Sequence, residues 1–291
     1  MESLRSAVGA SPSARRVVVD RVALAVDDEG SGSALVCLHA IGHGASDFAR
    51  LRDRLASRWR VIAPDWPGQG RSEPDRVPAS AKRYADLLGG LLDACDVRRA
   101  VLLGNSIGGA AAIRYAAEHP ERVSALILEN PGGLDAADDR LGRAVLGAMA
   151  VFFGAGARGA GWFPAAFAAY YRLVLQRGDA APQRRRIVAS AREIAPVLHA
   201  AWIGFATPEA DLRTLLPAIR CPVLVAWAAR DQLIQLRRCR PALARLPAAR
   251  LETFAAGHAP HLETPDLFEA ALDRFLEPLR EEPPHREAHV V

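Results

Sequence analysis

One stretch constrains this chain more than any other: Val101-Leu102-Leu103-Gly104-Asn105-Ser106-Ile107-Gly108-Gly109-Ala110. An apolar run enters it and an alanine-rich helical pattern leaves it. A strand that turns straight into a helix crowds its own backbone at the corner. Glycines two before and two after Ser106 remove the side chains that would clash there. The serine backbone is then strained, and its hydroxyl projects beyond the sheet edge. The N–H of Ile107, at the helix start, can face a developing oxyanion. The five-residue pattern G-x-S-x-G is weak alone, because glycine and serine are common. With a strand before it and a helix after it, Ser106 reads as a nucleophile rather than part of an ordinary glycine-rich turn.

The rest of the chain supplies the sheet that such a corner needs. Arg16 to Asp27 alternates loosely, as two short strands would. Ala34 to His39, Val61 to Trp66 and Ala125 to Leu128 are apolar runs, expected of strands covered on both faces. A helix capped by Ser46 should run to about Arg58, and another should span Ala79 to Cys95. Strands alternating with helices imply a parallel sheet with helices on both faces. The alternation stops at Pro131-Gly132-Gly133 and resumes at Pro222 to Trp227. It continues with a helix at Gln235 to Leu246, a strand at Arg250 to Phe254 and a helix at Pro265 to Leu276. Residues 134–207 contain no convincing strand and read as helices inserted between two parts of one sheet. They hold nine of the chain's 18 aromatic residues and nine arginines against five acids. The expected layout is a discontinuous α/β core at 17–133 and 208–277, a helical insertion at 134–207, and flexible tails at 1–16 and 278–291.

Composition narrows the partners. A length of 291 residues suffices for a large core. Of 37 basic residues only Lys82 is lysine, so the net charge of +4 reads as compositional bias before anion binding. No basic–aromatic patch suggests nucleic acid. No apolar run is long enough to span a membrane, and Met1 to Arg16 is not a secretory signal, so no membrane partner is expected. Cys37, Cys95, Cys221 and Cys239 are far apart and read as buried free thiols, which points to the cytoplasm. Neither a metal nor a cofactor is expected, and a homo-oligomer is left open.

A serine hydroxyl needs a base, and the base needs an orienting acid. His258 follows the last strand and a glycine, where an open parallel sheet gathers its site. Asp231 follows the strand before it, with Glu129 as runner-up acid. His261 reads as structural, His119 as a helix cap, and His285 and His289 as solvated tail residues. Asp65 should pin its own loop and His39 should order the loop after its strand. There the Ile41 N–H is the expected second oxyanion donor beside Ile107. His43 and Asn105 lie close enough for substrate contact, and His199 in the insertion could face substrate. An apolar pocket lined by inserted aromatics, Phe163, Phe167 and Trp202 among them, is expected; at helical spacing, helix-to-helix packing explains about half of them equally well.

Gly104-Asn105-Ser106-Ile107-Gly108-Gly109, Asp65-Trp66-Pro67-Gly68-Gln69-Gly70-Arg71-Ser72, Arg230-Asp231 and Gly257-His258-Ala259-Pro260-His261-Leu262-Glu263 together resemble the α/β-hydrolase fold superfamily. The resemblance covers about 17 to 277 outside the insertion. It implies an eight-stranded, mostly parallel sheet, the chain order Ser106, Asp231, His258 for a triad, and a helical cap made by the insertion. Asp65-Trp66-Pro67-Gly68, Gly104-Asn105-Ser106 and Asn130-Pro131-Gly132-Gly133-Leu134 look most like meta-cleavage-product hydrolases, which cut a C–C bond beside a ketone. Those enzymes use a cap arginine, for which Arg184, Arg185, Arg186 and Arg192 are candidates. A serine at the corner sets the chain apart from the dehalogenase and epoxide-hydrolase branches, which use aspartate. Three functions follow for testing: a serine hydrolase acting on esters of a small, largely apolar substrate, a C–C hydrolase, or a silent ligand-binding protein on this fold.

Overall fold

The computed structural model describes residues 14–135 and 140–279. Eight strands form one sheet in the order β1-β2-β4-β3-β5-β6-β7-β8. β1 (Ala14–Val19) and β2 (Val22–Glu29) make an antiparallel hairpin, and β2 also runs antiparallel to β4 (Arg60–Pro64). β4 pairs parallel with β3 (Ala34–Leu38), and β3 with β5 (Ala100–Asn105). β6 (Val123–Glu129), β7 (Val223–Ala228) and β8 (Ala249–Phe254) continue the parallel series.

The hairpin turns at Asp20-Arg21, both at positive φ, 45° and 67°. That mirror-image turn matches strand twist but usually carries Asn-Gly, so the sequence only hints at it. β1 begins inside the expected N-terminal tail. Ala14, Arg15 and Arg16 pair with Asp27, Val26 and Ala25, because the hairpin partner satisfies their backbone groups. The remaining expected tail residues, 1–13 and 280–291, lie outside the described residues, as do His285 and His289.

Side chains of the parallel strands alternate between two cores. Val36, Leu38 and Leu102 pack with Leu87, Leu88 and Ile113 of α2 (Ala81–Ala94) and α3 (Ile107–Glu118). Leu35, Cys37 and Leu103 pack with Leu51, Leu55, Phe268 and Leu272 of α1 (Ala49–Leu55) and α10 (Pro265–Leu276). Before α1 the expected helix start is replaced by a short 3-10 turn at Ala45–Phe48, and Ser46 does not cap it. The Asp65 carboxylate from the end of β4 accepts the Ala45 N–H at 2.7 Å instead. A partner brought by the tertiary fold displaced the local one.

Between β6 and β7 lie α4 (Arg140–Ala157), α5 (Phe163–Val174), α6 (Ala181–Ala189) and α7 (Ala191–Gly204). No strand occurs there among the described residues. α8 (Leu236–Leu243) and the single turn α9 (Pro260–Glu263) flank β8. The inserted helices rest on the C-terminal strand ends. A Cβ on Gly257 would stand 2.5 Å from Val174 O, and one on Gly42 would stand 3.2 Å from both Leu198 and the Tyr171 hydroxyl. Among the described residues no helix is long and apolar enough to cross a membrane.

Candidate active site

Ser106 sits at the β5–α3 corner with φ 55° and ψ −117°. This is strained backbone for a residue with a side chain. It is held from several sides: its N–H donates to Glu129 O at 2.9 Å, and its carbonyl accepts from Ala110 N at 3.0 Å and Gly132 N at 3.2 Å. The corner closes only on glycine. A Cβ at Gly108 would lie 2.2 Å from Leu38 O, and one at Gly104 would lie 2.5 Å from Gly109 N. The tight approach at Gly108 brings the start of α3 against the loop after β3. Gly42 N spends its proton on Gln69 Oε1 at 2.6 Å. The Ile41 and Ile107 N–H groups donate to no protein acceptor among the described residues.

The loops after β7 and β8 bring Asp231 to His258, with Asp231 Oδ2 2.7 Å from His258 Nδ1. Asp231 is fixed in turn. Its Oδ1 accepts from Leu233 N at 2.7 Å and Ile234 N at 3.0 Å, and Oδ2 accepts from Asn130 Nδ2 at 2.7 Å. Asn130, itself at φ 40°, accepts Ala228 N–H through Oδ1 at 2.7 Å. Burial alone would lower the His258 pKa, but the Asp231 carboxylate, with Glu263 and Glu129 behind it, outweighs burial and the net shift is upward. Ser106 Oγ and His258 Nε2 take no other partner among the described residues, so both stay available to a ligand.

The runner-up acid serves a different histidine. Glu129 Oε2 lies 2.8 Å from His261 Nδ1, and the His261 ring stacks on Phe48 at 4.8 Å. A third pair, His43 Nδ1 and Asp47 Oδ2 at 2.5 Å, is joined by Arg186 at 2.7 Å. Burial pulls the Asp47 carboxyl up, but His43 and Arg186 prevail and hold it at about 2.

Other sequence expectations divide. His39 does order its loop: Nδ1 donates to Ala40 O at 2.7 Å and Nε2 accepts Trp66 N–H at 2.9 Å. That pattern needs the neutral ring, and burial lowers the His39 pKa accordingly. Asp65 pins its loop through Ala45, Arg71 N and Arg71 Nε. Asn105 is corrected. It is fully buried, and its amide donates to Glu129 O at 3.1 Å and His258 O at 3.0 Å, so it braces the histidine loop instead of meeting substrate. His43 is buried against the Asp47 carboxylate. His199 ties α7 to α4 through Ala150 O at 2.9 Å, and His119 ends α3. Phe163 and Phe167 are fully buried, 5.4 Å apart, in a cluster with Phe153 that reaches Trp202 and Tyr171. For these two phenylalanines the helix-to-helix packing role is the one observed.

Sequence reasoning missed the bracing residues. Glu263 is fully buried. Its Oε1 accepts from Gly257 N, His258 N and Ala259 N at 2.9, 2.8 and 3.2 Å. Its Oε2 accepts from Gln176 N and Arg177 N of the insertion at 2.8 and 3.2 Å. The signal was a carboxylate five residues past a glycine–histidine pair, within reach of that loop's N–H groups. Asn130 carried no local signal, because its partners lie 98 and 101 residues away. Among the described residues no group of His, Cys, Asp or Glu could hold a metal ion.

A sheet of this order, with a strained serine at the β5–α3 corner, defines the α/β-hydrolase class of fold. A model of the alpha/beta hydrolase family matches residues 35–271, and the chain belongs to that family. An uncharacterized protein of Mycobacterium tuberculosis is 29% identical over 264 residues, covering 85% of this chain and 76% of that one. A 2-hydroxy-6-oxo-6-phenylhexa-2,4-dienoate hydrolase of Burkholderia cepacia is 39% identical over 118 residues, 38% of this chain and 41% of the relative. The structure of a thermophilic esterase from Thermogutta terrifontis superposes with a TM-score of 0.76 at 23% identity, covering 92% of this chain and 99% of that one.

Proposed function

We propose that the protein is a serine hydrolase that cleaves an ester or similar acyl bond of a small, largely apolar substrate under a cap formed by α4 to α7. One observation carries the reading: a strained serine at a helix N-terminus follows Asn105, whose amide holds the carbonyl of His258 at 3.0 Å, and His258 forms a buried pair with Asp231 at 2.7 Å. Ser106 Oγ attacks the carbonyl carbon while His258 Nε2 takes its proton. Asp231 keeps the other ring proton on Nδ1 and stabilises the imidazolium that forms. The Ile41 and Ile107 N–H groups donate to the oxyanion. The tetrahedral intermediate collapses, His258 protonates the leaving alcohol, and water, deprotonated by His258, releases the acid by the reverse sequence. This chemistry requires no cofactor. The four free, buried cysteines fit a cytoplasmic setting, and burial pushes the thiols of Cys37, Cys221 and Cys239 up, away from reactivity.

A second reading, C–C hydrolysis of an anionic dienoate, is favoured by the partial match to the dienoate hydrolase. It needs a cap cation for the carboxylate. Arg184 is spent on Leu175 O, Arg186 on Asp47 and Arg192 on Gly159 O, while Arg185 is exposed on α6. Ester chemistry is therefore preferred. The deciding experiment is fluorophosphonate labelling with a p-nitrophenyl ester and a meta-cleavage dienoate assayed side by side. Labelling at Ser106, ester turnover, and a loss of about 10⁴-fold in Ser106→Ala support the proposal. An unlabelled, inactive protein leaves the ligand-binding reading, and turnover of the dienoate alone leaves the C–C reading.

A further inference from the structure

α4 is a surface helix without a polar face. From Ala144 to Ala157 it carries no charged or hydrogen-bonding side chain. A helix apolar all round belongs in an interior. Here Phe153 is fully buried, yet Val145 is 50% and Val151 is 69% exposed. Ala144 and Ala148 are exposed on the same face, at the spacing i, i+4, i+7 with Val151. α5 repeats the pattern: Trp162 at 55% and Leu173 at 60% are exposed along one stripe with Ala165 and Ala169. The helices come together where the Trp162 ring lies 5.9 Å from Phe152, which follows Val151 in sequence.

Within α4, α5 and the turn between them every charged side chain is an arginine, the nearest acids in sequence being Asp139 and Asp179. Between Arg140 and Gly178 the chain has five arginines and no acidic residue, although 33 acids are spread over the whole protein. Arg158, in the turn before Trp162, and Arg172, beside Leu173, form no ion pair among the described residues. A second copy of the chain docking here by two-fold symmetry would set these cations against themselves. An anionic lipid surface would meet them with opposite charge and take the apolar side chains and the exposed tryptophan at its interface.

We infer that the outer face of α4 and α5 is a peripheral docking surface for an anionic lipid leaflet, with Val145, Val151, Trp162 and Leu173 inserting and Arg158 and Arg172 binding headgroups. This revises the sequence-based expectation of no membrane partner, which rested on the lack of a spanning segment; shallow insertion needs none. The inference does not rest on the hydrolase assignment. The test is flotation of the full chain with phosphatidylcholine vesicles, with and without about one-third phosphatidylglycerol, beside turnover of a water-soluble ester and light scattering for mass. Binding on the order of tenfold tighter to the anionic vesicles is expected, weakening with salt. V145D/V151D should lose that binding and R158S/R172S should lose most of its anionic preference, both with unchanged soluble-ester turnover and melting temperature. Equal binding to neutral vesicles, no binding by the parent protein, or full binding by V145D/V151D overturns the inference. So does a dimer that V145D/V151D dissolves, which would assign the face to a second copy.

Discussion

Replacing Glu263 by Gln tests whether one buried carboxylate holds the candidate base in place. The carboxylate accepts five backbone N–H bonds, three from the His258 loop and two from the α5–α6 connection. Glutamine keeps one oxygen. If that oxygen stays with Gly257, His258 and Ala259, its NH₂ faces the donors Gln176 N and Arg177 N. Both of those residues are half-buried, so each lost partner costs about 1 kcal/mol, the low end of the range for orphaned donors. Loss of charge on the three remaining bonds removes about 1 kcal/mol more. The sum, ~3 kcal/mol, corresponds to a melting temperature lower by roughly 6–12 °C in a domain of this size. Scanning calorimetry reads that shift. Ester kinetics read the second consequence: with the histidine loop loosened, kcat falls while KM changes little, because the substrate still meets the same walls. A variant within about 2 °C of the parent and with full kcat would refute the bracing role, and with it the use of these five bonds to explain the site.

Four further outcomes follow. Asp231→Asn should lower turnover by up to about 10⁴-fold; because Asp231 is the chief group raising the His258 pKa against its burial, the acid limb of kcat/KM should lie at lower pH in the variant than in the parent. Glu129→Gln should leave activity within about tenfold while lowering thermal stability, since its partner is His261; an inactive Glu129→Gln beside a near-neutral Asp231→Asn would reassign the acid. Gly108→Ala should fail to fold or melt far below the parent, because its Cβ would meet the Leu38 backbone at 2.2 Å; a normal melting curve would refute the required close approach. Across p-nitrophenyl esters, kcat/KM should rise about fourfold per methylene from acetate until the pocket is full, at ~0.8 kcal/mol each, and a flat profile would remove the apolar pocket.

Much of this protein could be read from local pattern. Apolar runs of four to six residues bounded by turns identified the central strands, because a strand covered on both faces has to be apolar throughout. The corner at Ser106 was legible because backbone crowding there demands glycine at fixed offsets, and the loops at strand ends offered His258 and Asp231 as the candidate base and acid. The hairpin at Asp20-Arg21 was only hinted at, because its positive φ values fall on residues that do not announce them. The start of α1 could not be read, because its N–H partner is Asp65, 20 residues away. The choice between Asp231 and Glu129 belonged to the tertiary structure as well. Both carboxylates follow strands, and only the strand order with the β8 loop decides which one reaches His258 and which reaches His261. The same holds for Asn105, a polar residue beside Ser106 in sequence that the fold turns inward to hold His258 O. Composition marked α4 and α5 as apolar, but which of their faces stays in water is set by what the sheet beneath them already covers.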